Sequence, residues 1–333
     1  MLSDTPYRIL SIDGGGLRGI IALVVLERLD QAAPGWRDGV HMHAGTSTGA
    51  LIALGLARGL TPGQLLERYR EQGPRLFSRS LGWRLKTLNG LIGPRYDGAK
   101  REQVCRDDLG EESTLASLLR DGGRRGHVLV PAFNLDGDPR LPEGLRRWKP
   151  KVYHNLPTLD GSDDGAELSW RVAMRSSAAP TYFSSFDGFV DGGVFANNPA
   201  MCALGQTRDA RLRTPIPPES VAMLSLGTGV NAIHLAGDAD WGYWQWGRDI
   251  VELLMDGVND VADFQARQLL GERRYLRVST LLDQPVSLDD VGQMARLERI
   301  AAQIDLSEAI GFVDGWRFAA TALPGGGEAV GLA

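Results

Sequence analysis

Only two cysteines, Cys105 and Cys202, occur in 333 residues. They are too few and too far apart for a disulfide framework or a thiolate metal site, and both are expected to be free core thiols. Basic charge is not in excess: 36 Lys and Arg face 41 Asp and Glu, a net charge of −5. The electrostatic footprint of a nucleic-acid binder is therefore missing, no nucleic acid polymer is expected as a partner, and pairs such as Arg124 and Arg125 read as solvated surface. Apolar runs are short, residues 20–26 being the longest near the front, against the roughly 20 residues needed to span a bilayer. Residues 1–6 show no basic start followed by an apolar stretch, so no secretory signal is read. The expected location is cytoplasmic, with any lipid contact peripheral at the membrane surface.

What remains is 43% hydrophobic and 23% charged, ordinary for a globular chain with a large core. One domain is expected over residues 1–322, with a flexible tail at 323–333 rich in glycine. Residues 7–12 read as a strand, broken by Asp13-Gly14-Gly15-Gly16 before a helical pattern over 17–31. A second strand at 40–44, a sharp turn at 45–48 and a helix at 49–57 repeat the unit. Further strands are expected at 127–134, 151–154, 220–226 and 273–278, and helices from Pro62, at 168–176, 241–270 and 290–304. Strands alternating with helices predict an α/β fold, a mostly parallel sheet covered on both faces.

Gly45-Thr46-Ser47-Thr48-Gly49 fits GxSxG, the nucleophile elbow, where flanking glycines permit a strained strand-to-helix turn that presents the serine at a helix N-terminus. Free N–H groups and the helix dipole there favour the negative charge of acyl transfer. Gly14-Gly15-Gly16-Leu17-Arg18-Gly19 is ambiguous, because it also satisfies the dinucleotide fingerprint GxGxxG between strand and helix, and an oxidoreductase is the rival reading. That reading wants an acid at the end of the second strand, where Gly45-Thr46-Ser47 stands instead. An oxyanion hole of Gly14, Gly15 and Gly16, with Arg18 to brace the loop or meet a phosphate, suits the neighbouring serine better.

A Ser-His-Asp triad needs a histidine, and only His41, His43, His127, His154 and His234 exist. His234 alone follows the serine late in the chain as an α/β-hydrolase requires, with no supporting motif. Asp191-Gly192-Gly193 is the stronger partner: an aspartate ending an apolar stretch, freed for close approach by two glycines. To deprotonate serine it must be in hydrogen-bond contact and desolvated, because an ordinary carboxylate is a weak base.

With these three motifs in order, the sequence resembles the patatin-like phospholipase family over residues 7–306. Residues 13–19 match the family's oxyanion loop, 45–49 its elbow and 191–193 its dyad segment; residues 176–183 and Asn197-Asn198-Pro199 stand where the family carries similar stretches. The resemblance implies a three-layer α/β/α sandwich, Ser47 as nucleophile, Asp191 as its base, and hydrolysis of lipid acyl esters through an acyl-enzyme. It implies no metal or organic cofactor. A thioesterase or acyltransferase on the same fold is a further alternative, and no motif marks a regulatory ligand or an oligomeric partner. Residues 80–93, with Leu81, Trp83, Leu85, Leu88, Leu91 and Ile92 beside Arg84 and Lys86, are expected either as a peripheral lipid contact or lid or as an ordinary core-covering helix, and the aromatics Trp241, Tyr243, Trp244 and Trp246 as core.

Overall fold

A computed structural model describes residues 6–78, 93–123, 125–138, 140–232 and 243–317, with side chains from 253 onward in the last segment. The expected lid apart from Gly93, His234, Trp241, the side chains of Tyr243, Trp244 and Trp246, and the terminal tail lie outside what is described.

Seven strands make one sheet: β1 (Tyr7–Ile12), β2 (Met42–Gly45), β3 (His127–Asn134), β4 (Lys149–His154), β5 (Phe189–Asp191), β6 (Val221–Leu226) and β8 (Tyr275–Val278). The order is β4-β3-β2-β1-β6-β8. β1, β2, β3, β6 and β8 run parallel, while β4 and β5 pair antiparallel with β3. A separate parallel pair joins β7 (Val230–Asn231) to β9 (Leu281–Leu282).

Burial follows the pleat, since successive side chains point to opposite faces. Leu10 and Ile12 of β1 pack with α1 (Gly19–Ala32), α3 (Pro62–Leu76) and α9 (Met294–Gln303), whereas Ile9 packs on the other face with α7 (Ala200–Thr207) and the end of α8 (Tyr243–Leu270). Beyond β3, α2 (Thr48–Arg58), α4 (Gly98–Leu109) and α5 (Ser169–Ser176) complete the first layer. With helices on both faces, the chain is the expected α/β/α arrangement around a mostly parallel sheet.

The short strand β5 and the helices α4 and α7 are additions to the sequence reading, and two expected features differ. The first helix is preceded by a 3₁₀ turn, Gly16–Arg18, because the glycine run is pinned by tertiary hydrogen bonds before the α-helix begins. Cys105 is buried as expected, but Cys202, on α7, is only half-buried at the rim of the core.

The topology brings the ends of β2 and β5 together. On one side of β3, Leu129 pairs with Ala44 of β2 and Ala132 with Asp191 of β5, a separation of about 10 Å at the usual strand rise. β5 thus continues the line of β2, and Asp191 faces the turn that follows Gly45. β1 lies between β2 and β6, where the strand order reverses. Its glycine turn opens at the carboxyl edge of the sheet, the place where α/β folds form their crevices.

Candidate active site

Ser47 caps α2 with φ 55° and ψ −119°, a left-handed conformation that costs a non-glycine residue of order 1–3 kcal/mol and persists only when its surroundings enforce it. Here Ser47 N–H donates to Ser176 Oγ at 3.0 Å, and Thr46 Oγ1 donates to Ala196 O at 2.7 Å. Gly49 allows α2 to lie against β1, since a Cβ there would sit 2.2 Å from Ile12 O. Gly45, at the other end of the elbow, faces the Gly49 backbone at similar range.

Ser47 Oγ donates to Asp191 Oδ2 at 2.6 Å, and both residues are buried. The second carboxylate oxygen accepts the Gly193 N–H at 2.8 Å, while the backbone of Asp191 is held by Ala178 O at 3.0 Å. Gly192 fits against the Pro131 carbonyl. Burial pushes the Asp191 carboxyl up to about 6, against the downward pull of the Ser47 and Gly193 hydrogen bonds and the Arg101 charge. The described histidines lie elsewhere. His127 is tied to Tyr7 Oη and the Gly123 carbonyl, and His43 and His154 each carry a buried Nδ1 without a hydrogen-bond partner among the described residues.

The glycine loop passes so close to Ser47 that a Cβ on Gly14 would lie 3.3 Å from that of the serine. Each loop carbonyl is held. Gly14 O accepts Thr228 Oγ1–H at 2.7 Å and Asn197 Nδ2–H at 3.3 Å, Gly15 O accepts the Arg18 N–H at 3.0 Å, and Gly16 O accepts Tyr69 Oη–H. The Gly14 and Leu17 N–H groups are engaged by Asn197 O and Leu288 O. Among the described residues this leaves the N–H groups of Gly15 and Gly16 without acceptors. Arg18 offers no free backbone donor, and its buried guanidinium carries Nε and Nη1 without hydrogen-bond partners among the described residues. Asp13, which begins the loop, is buried in an ion pair with Arg277 at 2.6 Å.

Above Ser47 and Asp191 opens a cavity with an apolar wall that includes Leu51, Leu76, Phe77, Phe183 and Met255. Arg101 lines it too. Its guanidinium is buried over the Phe183 ring at 4.5 Å and donates to the Ser177 carbonyl, with no carboxylate partner among the described residues. Sequence reasoning assigned no part in the site to Ser176, Arg101, Tyr69, Asn197 or Thr228. The SSAAP and NNP stretches flagged two of these positions, but Arg101 sits in a charged helix and Thr228 in a turn 181 positions after Ser47.

These features define an α/β protein with a strained serine turn, a desolvated carboxylate in contact with it and an apolar cavity above both. The Patatin-like phospholipase family model matches residues 10–204, more than half of the chain, and the chain belongs to that family. Membership supports lipid hydrolysis as its activity. Patatin-like protein 2 of Arabidopsis thaliana is 28% identical, the match covering 84% of this chain and 78% of that protein. A cGAMP-activated phospholipase of Pseudomonas aeruginosa is 27% identical, covering 90% and 85%, and the putative sporulation hydrolase CotR of Bacillus subtilis is 30% identical, covering 71% and 67%. Human GIVD cytosolic phospholipase A2 aligns in structure at a TM-score of 0.42 and 14% identity, over 95% of this chain and 60% of its own, a likeness too loose to bear on mechanism. No helix among the described residues is long and apolar enough to cross a membrane.

Proposed function

We propose that the protein hydrolyses acyl esters of membrane lipids with Ser47 as nucleophile and Asp191 as general base. The observation that carries this reading is the 2.6 Å hydrogen bond from Ser47 Oγ to Asp191 Oδ2 at the floor of a cavity with an apolar wall. Asp191 takes the Ser47 proton as Oγ bonds to the acyl carbon. The carbonyl π electrons move to oxygen, and the oxyanion is met by the N–H groups of Gly15 and Gly16. Collapse expels the alcohol, which leaves with the proton from Asp191, and an acyl-serine remains. Water then gives a proton to Asp191 and its oxygen to the acyl carbon. The second collapse breaks the bond to Ser47 Oγ, which regains the proton, and a fatty acid departs.

Burial makes the carboxylate fit for this role, since a base near 6 removes a proton more readily than an ordinary aspartate. The glycines need no pyrophosphate to explain them, because a Cβ on Gly15 would lie 2.2 Å from Thr228 Oγ1. Substrate would reach the site by transient contact with a lipid surface. The test is fatty-acid release from phosphatidylcholine vesicles by wild type, Ser47→Ala, Asp191→Asn and the double variant. Each variant should lose nearly all turnover, and the double should lose no more than either single. Retained activity in Asp191→Asn together with a dead His234→Ala would replace the dyad by a triad.

A further inference from the structure

The Gly15 N–H can serve an oxyanion only if the Gly14–Gly15 peptide plane is fixed in one orientation, and glycines do not fix it themselves. In a trans peptide the C=O and N–H point in opposite directions, so whatever holds the Gly14 carbonyl also aims the Gly15 N–H. Two side chains hold it: Thr228 Oγ1–H at 2.7 Å and Asn197 Nδ2–H at 3.3 Å. Asn197 also accepts the Gly14 N–H through its own carbonyl at 3.0 Å and is steadied by Asn259 Oδ1 at 3.1 Å. Thr228 and Asn197 are 3% and 2% exposed, so water does not compete for the Gly14 oxygen.

We propose that Thr228 is a positioning residue which, with Asn197, clamps the Gly14 carbonyl and thereby aims the Gly15 N–H at the acyl oxygen in the transition state. The inference rests on the ester-hydrolase reading above and adds to it a residue from the turn between β6 and β7, outside the part of the chain that matches the family model. The clamp explains the spacing of the loop. Gly15 approaches Thr228 so closely that no side chain fits between them, and the next peptide is turned by a local bond, Arg18 N–H to Gly15 O. The second donor, Gly16 N–H, is therefore independent of Thr228. Losing the hydroxyl should misaim one donor and leave the other in place.

The test compares Thr228→Val, which keeps the shape and removes the donor, with Thr228→Ser, which keeps the donor. The measurements are kcat and KM on a soluble short-chain ester, and the inhibition constant of a fatty-acyl trifluoromethyl ketone that forms a reversible tetrahedral adduct with the serine. Removing one oxyanion donor outright typically costs about 10²- to 10³-fold in kcat. A misaimed one in Thr228→Val should cost about 10- to 100-fold, with KM within about twofold and ketone affinity weakened by a similar factor. Thr228→Ser should recover most of both. Wild-type kcat and ketone affinity in Thr228→Val would overturn the clamp, as would a Thr228→Ser variant as slow as the valine one. If Thr228→Val does not fold, a well-folded Thr228→Ser with near wild-type values supports the clamp and one with a large kcat defect overturns it. Absence of wild-type hydrolysis and of ketone binding would remove the ester-hydrolase reading and the clamp together, whereas an active wild type with an indifferent Thr228→Val removes the clamp alone.

Discussion

Asp191→Asn should yield a protein that is catalytically dead and more stable than wild type at neutral pH. The carboxyl is buried and its pKa is raised from 3.8 to about 6, so the folded state holds the proton more tightly than the unfolded chain. The sign follows from linkage. The native carboxylate imposes no penalty well below pH 3.8, where both states are protonated. Its penalty grows between the unfolded and folded values, where the unfolded chain has ionised and the native one has not, and is complete above about pH 7. The gap between 3.8 and about 6 corresponds to roughly 3 kcal/mol at 1.36 kcal/mol per pKa unit. Asparagine keeps the local bonds, its Oδ1 accepting from Gly193 N–H and its Nδ2 facing Ser47 Oγ, but carries no charge to desolvate. Urea unfolding of both proteins from pH 4 to 8 is the assay, and the quantity to follow is the difference between them, in which the buried histidines cancel. Asp191→Asn should gain up to about 3 kcal/mol at pH 8, and the gain should shrink towards pH 4. A variant no more stable than wild type at pH 8, or a difference flat with pH, would refute the claim that Asp191 is a desolvated, ionised base.

The same carboxyl sets the pH dependence of turnover. Log kcat/KM on a soluble ester should bend near pH 6 and fall about tenfold for each pH unit below it, as Asp191 becomes protonated. Arg101→Met should move that bend to higher pH, because the cation is one of the influences holding Asp191 down. An unmoved bend would show that Arg101 acts on something other than the base.

Much of this arrangement was legible in the sequence because its signals are local. A serine between Gly45 and Gly49 after an apolar strand declares a turn, and the aspartate before Gly192 and Gly193 declares a residue placed for close approach. The alternation of strands and helices led to the layered fold for the same reason, since pleat and helix periods are written within a few residues. The parts that escaped are tertiary. The three-residue β5 is too short for a periodic signal, and its place beyond the end of β2 depends on both pairing with β3. α4 carries few apolar residues, burying only Arg101, Cys105 and Leu109, so its pattern does not show that one arginine faces the cavity. Thr228 reads as an ordinary Gly-Thr-Gly turn, and its contact with Gly14 across 214 positions leaves no trace in local composition. The glycine run is ambiguous between phosphate and oxyanion in the sequence because both uses demand the same bare backbone.

The central claim is that Ser47 is the nucleophile and Asp191 activates it, and peptide mapping of the adduct formed with a fluorophosphonate probe tests this most directly. Wild type should take up one probe per chain, on the peptide containing Ser47. Ser47→Ala should take up none, and Asp191→Asn should react far more slowly. A probe found on another residue, Ser176 or Ser177 for instance, or undiminished labelling of Ser47→Ala, would contradict the account.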